Sequence, residues 1–542
     1  SSAESLAFGD FRAAKSAQLA LGYDPRTEGN PMTEATTQYG QIEGTLEDGV
    51  HAYKGVPFAK SPTGALRWAP PEAPDHWQGV KQTLAFGPGS VQAESAMSAL
   101  FPEQKKKPVF NEDCLTLNVW SPVDADGSNP VMVWIHGGAF TQGSGGSPMY
   151  DGTTFAKRGV VLVTVNYRLG ALGFLRLVDV TGGAIGATGI EGIQDQMFAL
   201  QWVQNNIAGF GGNPENVTIF GESAGGMSVG ALMGIPSAQG LYHKAIPQSG
   251  AGHNAVSIDR ANKVADLLLE KLGIPADDVD RLRISSADEI LQAQQALQAD
   301  VAALRERSIE GMAFQPVIDG HILTQLPVDA VRDGVAKGKS LFIGNTEEEN
   351  KLFVGMGMGQ SQLDDAGLRD QLSKTHGEQH ADALLSVYAE TLQARGAEPS
   401  PFEINVAIGT DQIFRVPAIR LAEAQQNHCD DVYVYLFDWK TNAFGGRLGS
   451  CHALEIPFVF ASHQSPGLVT FAGGDQPGAD ALADTMQSAW VAFAATGNPG
   501  ANTSVAAYSK NRTTMIFGTD NRIEEDPAAA SREVWDLIDT AL

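Results

Sequence analysis

Hydrophobic and polar positions divide the chain into short apolar runs that alternate with longer amphipathic stretches. Residues 193–208 have apolar side chains at helical spacing, and 254–310 is largely amphipathic. Residues 41–56 alternate around turn glycines and predict small antiparallel strands. Apolar runs of strand length predict strands covered on both faces of a sheet; they lie at 115–120, 131–136, 160–166, 217–220, 244–249, 340–343 and 432–437. This alternation predicts an α/β fold with a large, mostly parallel central sheet flanked by helices.

Composition and charge narrow the classes of partner. The 542 residues include 37 basic and 63 acidic side chains, which gives a formal charge of -26. Such an acidic excess disfavours nucleic acids and anionic membrane surfaces as partners. No apolar run approaches the roughly 18 residues that a membrane span requires. We therefore expect a small-molecule substrate, no nucleic acid, no membrane span, and either a monomer or a homodimer.

The chain is predicted to hold one catalytic domain over 36–542, because the candidate site residues given below are scattered too widely for separate domains to share. Residues 1–35 are alanine-rich and then broken by glycine and proline, which predicts a short helical extension outside the main sheet. Ser1 opens the chain without a methionine or an apolar signal core, so we expect that a leader was removed. That expectation favours a secreted or periplasmic protein over a cytoplasmic one.

Cysteine and histidine usage indicates neither a disulfide framework nor a metal site. The three cysteines are too few for a framework and follow no metal-site spacing. His376 and His380 have i, i+4 spacing, but Gly377 and the polar neighbours favour a solvated helix end. We expect neither a metal ion nor a cofactor.

Residues 221–225 (GESAG) have the G-x-S-x-G spacing of a nucleophile elbow, directly after a predicted strand. In such an elbow a serine occupies a strained strand-to-helix turn, where a Cβ on either flanking glycine would clash. The spacing alone is weak evidence, since residues 226–230 (GMSVG) match it too. However, Ser228 would lie inside the helix, where its hydroxyl can bond a carbonyl. We predict Ser223 as the nucleophile and Ser228 as a packing residue.

A serine nucleophile needs a base, and the base needs a carboxylate that orients it. On an elbow fold the carboxylate follows the serine along the chain and the histidine comes last. Glu347, Glu348 and Glu349 follow a predicted strand, and His452 lies in a loop ahead of an apolar segment. Spacing alone does not choose among the three glutamates, and at least two of them are expected to be solvated charges.

The third requirement is a set of backbone N–H groups directed at the developing oxyanion. Residues 136–140 (HGGAF) directly follow a predicted strand and form a glycine-rich turn of the HGGG type. The alternative is a plain tight turn without a catalytic role.

Four segments are informative in combination: 112–120 (EDCLTLNVW), 131–140 (VMVWIHGGAF), 195–203 (DQMFALQWV), and 206–225, which begins NIAGFGGNP and ends GESAG. Together they closely resemble the type-B carboxylesterase/lipase family, which includes the cholinesterases. The resemblance spans roughly residue 36 to the C-terminus. It implies an α/β-hydrolase fold that is used as one large catalytic domain.

The resemblance also implies roles for individual residues. The family pattern G-x-x-x-x-E-G matches 344–350 (GNTEEEN), which assigns the acid to Glu349. The pattern G-x-x-H-x-x-E-[IL]-P matches 449–457 (GSCHALEIP), which assigns the base to His452. Glu222 resembles the acidic residue found near the site in many members. By the same matching, three backbone N–H groups would form the oxyanion hole: those of Gly138, Ala139 and Ala224.

The chain departs from the family pattern at several positions. Ala139 replaces the third glycine of the turn and is expected to donate its N–H with a negative φ, and Asn350 replaces the glycine after the acid. Cys114 aligns with one half of a family disulfide, but the partner position is Ser90, so we expect no bridge and a weaker argument for an oxidising compartment. Residues 90–114 contain no tryptophan, which argues against a quaternary-ammonium substrate.

We therefore predict a serine carboxylic-ester hydrolase that works through an acyl-enzyme. Two alternatives stay open: the same site could cleave amides, carbamates or thioesters, or the chain could be a non-catalytic binding module. The pocket loops are expected at 95–111, whose lysine run 105–107 is expected to be solvated, and at 351–362, whose Met and Gly suggest an adaptable wall. Since no lid helix is evident, bulky aromatic or medium-chain esters are favoured over long triglycerides.

Overall fold

The computed structural model describes residues 31–94, 108–355, 363–500, 506–509 and 511–538. The predictions for residues 1–30, for the lysine run 105–107 and for most of the two pocket loops lie outside these ranges. Within them, thirteen strands form one sheet. They are β1 (Met32–Thr37), β2 (Gly40–Glu47), β3 (Val50–Pro57), β4 (Val80–Gln82), β5 (Thr116–Pro122), β6 (Asn129–Ile135), β7 (Val161–Val165), β8 (Gly212–Glu222), β9 (Lys244–Gln248), β10 (Ser340–Thr346), β11 (Val432–Phe437), β12 (Thr513–Phe517) and β13 (Arg522–Glu525).

Helices fill most of the connections between the strands. The α-helices of the described ranges are α1 (Thr153–Lys157), α2 (Gly170–Gly173), α3 (Glu191–Asn206), α4 (Ala224–Gly234), α5 (Ile258–Leu272), α6 (Val279–Ile284), α7 (Ala287–Ala299), α8 (Val301–Glu306), α9 (Pro327–Arg332), α10 (Asn350–Gly355), α11 (Asp365–His376), α12 (Glu378–Ala394), α13 (Pro401–Thr410), α14 (Val416–Gln426), α15 (Ile456–Val459), α16 (Val469–Ala472), α17 (Ala479–Thr496) and α18 (Ala529–Asp536). A π-helical turn, Asp411–Arg415, joins α13 to α14. None of the helices in the described ranges combines the length and the apolar character that crossing a membrane would require.

The sheet has a parallel centre and antiparallel edges. Its order is β1-β2-β3-β5-β7-β6-β8-β9-β10-β11-β12-β13, and β4 pairs with β2. All neighbours from β7 to β12 are parallel. The pairs from β1 to β7 along this order and the pair β12–β13 are antiparallel. The predicted architecture, a mostly parallel sheet with small antiparallel N-terminal strands, is confirmed.

Strand β6 shows why the central strands are apolar without interruption. Val131, Val133 and Ile135 belong to the core on one face, which also holds buried residues of α3 and α4. Met132 and Trp134 belong to the core on the other face, together with buried residues of α17. Since successive side chains of a strand point to opposite faces, helices on both faces require apolar residues at every position.

The sheet begins inside the predicted N-terminal extension. Met32–Thr37 pairs along its whole length with β2, and the partner of Ala35 is Ile42. Ala35 and Thr37 point inward and are buried, whereas their neighbours are more exposed. Residues 32–35 therefore belong to the main sheet and not to a segment outside it, because this alternation provides one face to cover the core.

Candidate active site

The predicted nucleophile lies at a sharp turn between β8 and α4. Ser223 has φ 58° and ψ −125°, a backbone conformation that L-residues rarely adopt. A Cβ on Gly221 would lie 2.4 Å from the carbonyl oxygen of Ile135, and one on Gly225 would lie 2.0 Å from it. The flanking glycines thus allow the turn to press against the end of β6. Ser223 itself is half-buried.

The second G-x-S-x-G match lies within α4, as predicted. Ser228 is fully buried. Its hydroxyl oxygen accepts a hydrogen bond from Gln196 Nε2 at 3.0 Å, which ties α4 to α3. Its surroundings are therefore those of a packing residue.

The predicted acid and base meet at the C-terminal ends of two neighbouring strands. Strands β10 and β11 are parallel, with Thr346 opposite Phe437. Glu349, in the loop after β10, places Oε2 2.5 Å from Nδ1 of His452, in a loop after β11. The other oxygen, Oε1, accepts from Thr346 N at 2.7 Å and from Ser249 Oγ at 2.5 Å.

The two preceding glutamates contact other groups. Glu347 pairs with Arg395 at 2.9 Å, and Glu348 pairs with Lys351 at 2.7 Å. Neither side chain is a freely solvated charge, since they are 17% and 16% exposed. The expectation that two of the three glutamates are solvated was therefore wrong, because the loop after β11 and nearby cations enclose them.

The imidazole of His452 faces the elbow with its second nitrogen. Nε2 lies 3.0 Å from Oε1 of Glu222, the residue directly before Ser223. Burial is the main cause that raises the pKa of Glu222 well above its usual value, and the charge of Glu349 adds to it. The imidazole is thus placed between two buried carboxyl groups, one of which belongs to the residue before Ser223.

A third buried carboxyl group belongs to the same cluster. Glu455 Oε1 accepts from Gln248 Nε2 at 3.1 Å, and Trp490 Nε1 donates to Oε1 of Gln248 at 3.0 Å. Burial, followed by the charges of Glu222 and Glu349, raises the pKa of Glu455 to about 8. At neutral pH this carboxyl group therefore keeps its proton.

Two aromatic rings pack against the imidazole. The ring centroids of Phe353, in α10, and Phe414, in the π-helical turn, each lie 4.9 Å from that of His452. Phe414 is buried, and Phe353 is partly exposed. Sequence reasoning missed both residues, because no motif marks an aromatic residue that reaches the site through tertiary packing.

The glycine-rich turn after β6 adjoins the elbow. A Cβ on Gly137 would lie 3.0 Å from Ser223 Cβ and 3.1 Å from Glu222 Oε2, so this turn and the elbow are in close contact. Gly138 and Ala139 have φ values of 112° and 53°. The expected negative φ of Ala139 was therefore wrong: the carbonyl of Gly138 accepts from Thr141 N and Gln142 N, and this tight turn uses left-handed backbone.

The remaining predicted oxyanion donor is Ala224, the first residue of α4. The first N–H groups of a helix have no partner within the helix and lie at the positive end of its dipole. On the other side, the ring of His136 supports the glycine turn: it stacks on Tyr167 at 4.5 Å, and burial lowers its pKa to about 4. His136 is therefore a neutral structural residue.

A cavity of about 180 Å³ opens beside the turn. Its lining is mostly apolar and combines the turn with α7, α8 and the segment that follows them: Ala139, Thr141, Gln298, Leu304, Gly311, Met312, Ala313 and Phe314. A cavity of this size next to the exposed Ala139 can accept an apolar substituent of a ligand.

The described residues include potential metal-ligating side chains and the three cysteines of the chain. They contain no group of three His, Cys, Asp or Glu side chains that could hold a metal ion. Cys114 is a free, buried thiol beside Ser90, the position where the family partner was expected. Burial raises the pKa of Cys114, so it is an unreactive thiol.

Comparison with known proteins agrees with the fold and identifies the family. The sequence profile of the carboxylesterase family matches residues 31–535. The para-nitrobenzyl esterase of Bacillus subtilis (strain 168) is 38% identical over 507 residues, which cover 92% of this chain and 97% of that protein. The phenmedipham hydrolase of Pseudarthrobacter oxydans is 33% identical, and the match covers 86% of this chain and 90% of that protein.

Solved structures give the same result. A carboxylesterase of Geobacillus stearothermophilus is 40% identical and superposes with a TM-score of 0.81 over 93% of this chain and all of that chain (100%). A structure of PNB esterase has a TM-score of 0.80 at 37% identity, over 93% and 99% of the two chains. The expected α/β-hydrolase fold and ester hydrolysis are thereby confirmed, and the chain belongs to the carboxylesterase family.

Proposed function

We propose that this serine hydrolase cleaves carboxylic esters through an acyl-enzyme on Ser223, with His452 as general base and Glu349 as the carboxylate that orients it. The observation that supports this most directly is the contact between Glu349 Oε2 and His452 Nδ1 at 2.5 Å, beside the nucleophile elbow. A carboxylate on Nδ1 fixes the tautomer that leaves Nε2 free to accept a proton.

The reaction begins when Ser223 Oγ attacks the ester carbonyl and His452 Nε2 takes the hydroxyl proton. The negative charge of the tetrahedral intermediate falls on the former carbonyl oxygen, and three N–H groups stabilise it: those of Gly138, Ala139 and Ala224. The bond to the alcohol then breaks, and His452 returns the proton to the leaving alcohol. Water attacks the acyl-enzyme in the same way, which releases the acid and restores Ser223.

This mechanism requires Nε2 of His452 to bond the hydroxyl of Ser223 when substrate is bound. In the structure, Nε2 lies 3.0 Å from Glu222 Oε1. Because Glu222 and Ser223 are adjacent in the chain, we propose that the imidazole exchanges Glu222 for Ser223 when substrate binds. Catalytic hydrogen bonds often tighten only in the substrate complex.

The proposed substrates are esters of aromatic or medium-chain groups. The cavity of about 180 Å³ beside Ala139 is lined mostly by apolar side chains, including Phe314 and Met312. It has room for a ring or a short alkyl chain. The name of the para-nitrobenzyl esterase, to which the chain is 38% identical, agrees with this size class.

The test is covalent labelling with a fluorophosphonate probe, together with hydrolysis of p-nitrophenyl acetate. We expect the wild-type protein to be labelled and Ser223→Ala to be neither labelled nor active, while it stays folded by circular dichroism. The matched control is Ser228→Ala, at the second G-x-S-x-G match, which should keep both labelling and activity. Full activity of Ser223→Ala would refute the nucleophile, and an unlabelled wild-type protein would favour a non-catalytic binding module.

A further inference from the structure

The loops that carry Glu349 and His452 are joined by backbone hydrogen bonds as well as by the acid–base contact. Glu348 N donates to the carbonyl of Ser450 at 2.9 Å, and His452 N donates to the carbonyl of Glu349 at 3.3 Å. These hydrogen bonds fix the position of each loop relative to the backbone of the other. The proposed mechanism requires Glu349 and His452 to be held in fixed positions, because a misplacement of about 1 Å can reduce a rate by about 100-fold.

The side chain of Glu348 adds a further contact between these loops. Its Oε2 accepts from Ser450 N at 2.8 Å, two residues before His452. Its Oε1 contacts Lys351 Nζ at 2.7 Å, and the same Nζ lies 3.3 Å from Glu403. The carboxylate of Glu348 thus links the loop after β11 to a cation on α10, the helix that also carries Phe353.

The charge state of Glu348 suits this role. Burial opposes ionisation of the carboxyl group, but the charges of Lys351 and Lys440 and the hydrogen bonds from Lys351 and Ser450 N outweigh it. The pKa of Glu348 therefore lies below its usual value. A charged carboxylate makes a stronger hydrogen bond to a backbone N–H than a neutral group does.

Gly449 shows how closely the two loops approach. Its φ is 54°, in the left-handed region, and a Cβ at this position would lie 2.1 Å from Glu348 Oε2. A side chain here would displace the carboxylate from Ser450 N. The glycine therefore creates the space that the carboxylate of Glu348 occupies.

We propose that Glu348 is a positioning residue, which acts on the reaction by holding the His452 loop in register with Glu349. This inference rests on the proposed roles of Glu349 and His452. In this positioning role, Glu348 contacts neither His452 nor the substrate. Its removal should therefore lower the rate of the chemical steps and leave substrate binding nearly unchanged.

The test compares Glu348→Ala, Glu348→Gln and the matched control Glu347→Ala. Glu347 is equally shielded at 17% exposure, but its carboxylate pairs with Arg395 and Lys440. With p-nitrophenyl acetate, we expect Glu348→Ala to lose kcat by about 10-fold or more, with KM within about twofold of wild type. Glu348→Gln should keep kcat within about threefold, because its amide oxygen still accepts from Ser450 N. Glu347→Ala should match wild type.

Two results would overturn the proposal: kcat of Glu348→Ala equal to that of Glu347→Ala, or kcat of Glu348→Gln as low as that of Glu348→Ala. If Glu348→Ala does not fold, Gly449→Ala displaces the carboxylate from the other side and should give the same loss of kcat. Unchanged kcat in Gly449→Ala would contradict the role of Glu348.

Labelling by a fluorophosphonate separates this inference from the mechanism on which it rests. A wild-type protein that the probe does not label would overturn both. A labelled wild-type protein with full kcat in Glu348→Ala would overturn the positioning role alone. A positioning role further predicts that Glu348→Ala is labelled completely but more slowly, by the same factor as the loss of kcat.

Discussion

The carboxylate of Glu349 lies 2.5 Å from the imidazole of His452, although the two are 103 positions apart along the chain. Glu349 is fully buried, and its other oxygen accepts from Ser249 Oγ and from Thr346 N. These two hydrogen bonds hold Oε1 in place in the protein interior. Oε2 is therefore directed at the imidazole of His452. The following predictions depend on this arrangement and on its surroundings.

Replacing Glu349 by Gln should lower kcat for p-nitrophenyl acetate by about 1,000-fold or more. The amide can present its NH₂ group to Nδ1, which favours the wrong tautomer of His452. Glu347→Gln, which changes a neighbouring carboxylate paired with Arg395, should lower kcat by less than about threefold. Steady-state kinetics of the two variants provide the measurement. Equal effects would mean that the orienting acid is misassigned.

Phe414→Leu should lower kcat by about 10-fold and leave KM nearly unchanged. The Phe414 ring packs against His452, and a smaller side chain would give the imidazole room to tilt. Phe155→Leu is the control, since Phe155 is equally buried and packs on Phe220 and Phe460. Both variants should lose a similar amount of stability in urea unfolding. A kcat loss in both would show that the effect comes from general destabilisation.

Glu455→Gln should change how stability depends on pH. The pKa of Glu455 is about 8 in the folded protein, against an ordinary value of 4.5. Between these values the unfolded chain releases this proton and the folded protein keeps it, so stability from this group is complete below pH 4.5 and is lost as pH rises towards 8. The loss is up to about 1.4 kcal/mol per pH unit. Glu455→Gln should lack this loss. In urea unfolding, the free energy of unfolding of the variant should therefore rise relative to that of wild type between pH 5 and pH 8. Parallel pH curves for the two proteins would contradict the raised pKa.

Asp195→Ala should destabilise the protein by about 3–5 kcal/mol, because it leaves a buried guanidinium without its counter-charge. Arg168 and Asp195 are 3% and 0% exposed and are joined by two side-chain hydrogen bonds of 2.8 Å and 2.7 Å. The control is Asp484→Ala, which removes the exposed partner of Arg158 and should cost less than about 1 kcal/mol. Urea denaturation measures both. Similar costs for the two variants would contradict the importance of burial.

Phe314→Ala should shift substrate preference towards bulkier esters. Phe314 is fully buried and lines the cavity beside Ala139, so truncation would enlarge the space next to the proposed oxyanion turn. We expect kcat/KM for p-nitrophenyl octanoate to rise relative to that for p-nitrophenyl acetate by about 10-fold. An unchanged ratio would place the acyl and alcohol groups elsewhere.

The sequence predicted the central strands well, because burial on both faces leaves a pattern that local reading detects. The run at 432–437 coincides with β11, and the run at 340–343 lies within β10. The predicted start of β8 was wrong: the apolar run begins at residue 217, whereas β8 begins at Gly212, which pairs with Asn129 of β6 before a shift in register. Pairing with a distant strand decides that boundary, and local propensity does not record it.

For the candidate site as well, the sequence predicted some of the residues and missed others. Motifs marked Ser223, Glu349 and His452, and the structure brings the acid and base into contact at the elbow. Ser249, which donates to Glu349, follows directly on β9, and the end of a parallel strand next to β8 was the signal that could have found it. Phe414 left no such signal, since a π-helical turn far along the chain brings it to His452.

The pairing of β10 with β11 joins Thr346 to Phe437, three residues before Glu349 and fifteen before His452. A slip of one residue in this ladder would move the two loops apart by about 3.3 Å, more than the length of the hydrogen bond between acid and base. Enzyme activity therefore depends on the correct register of β10 and β11. During refolding, activity should return only after these two strands have paired in their native register, even if the helices and the compact shape form earlier.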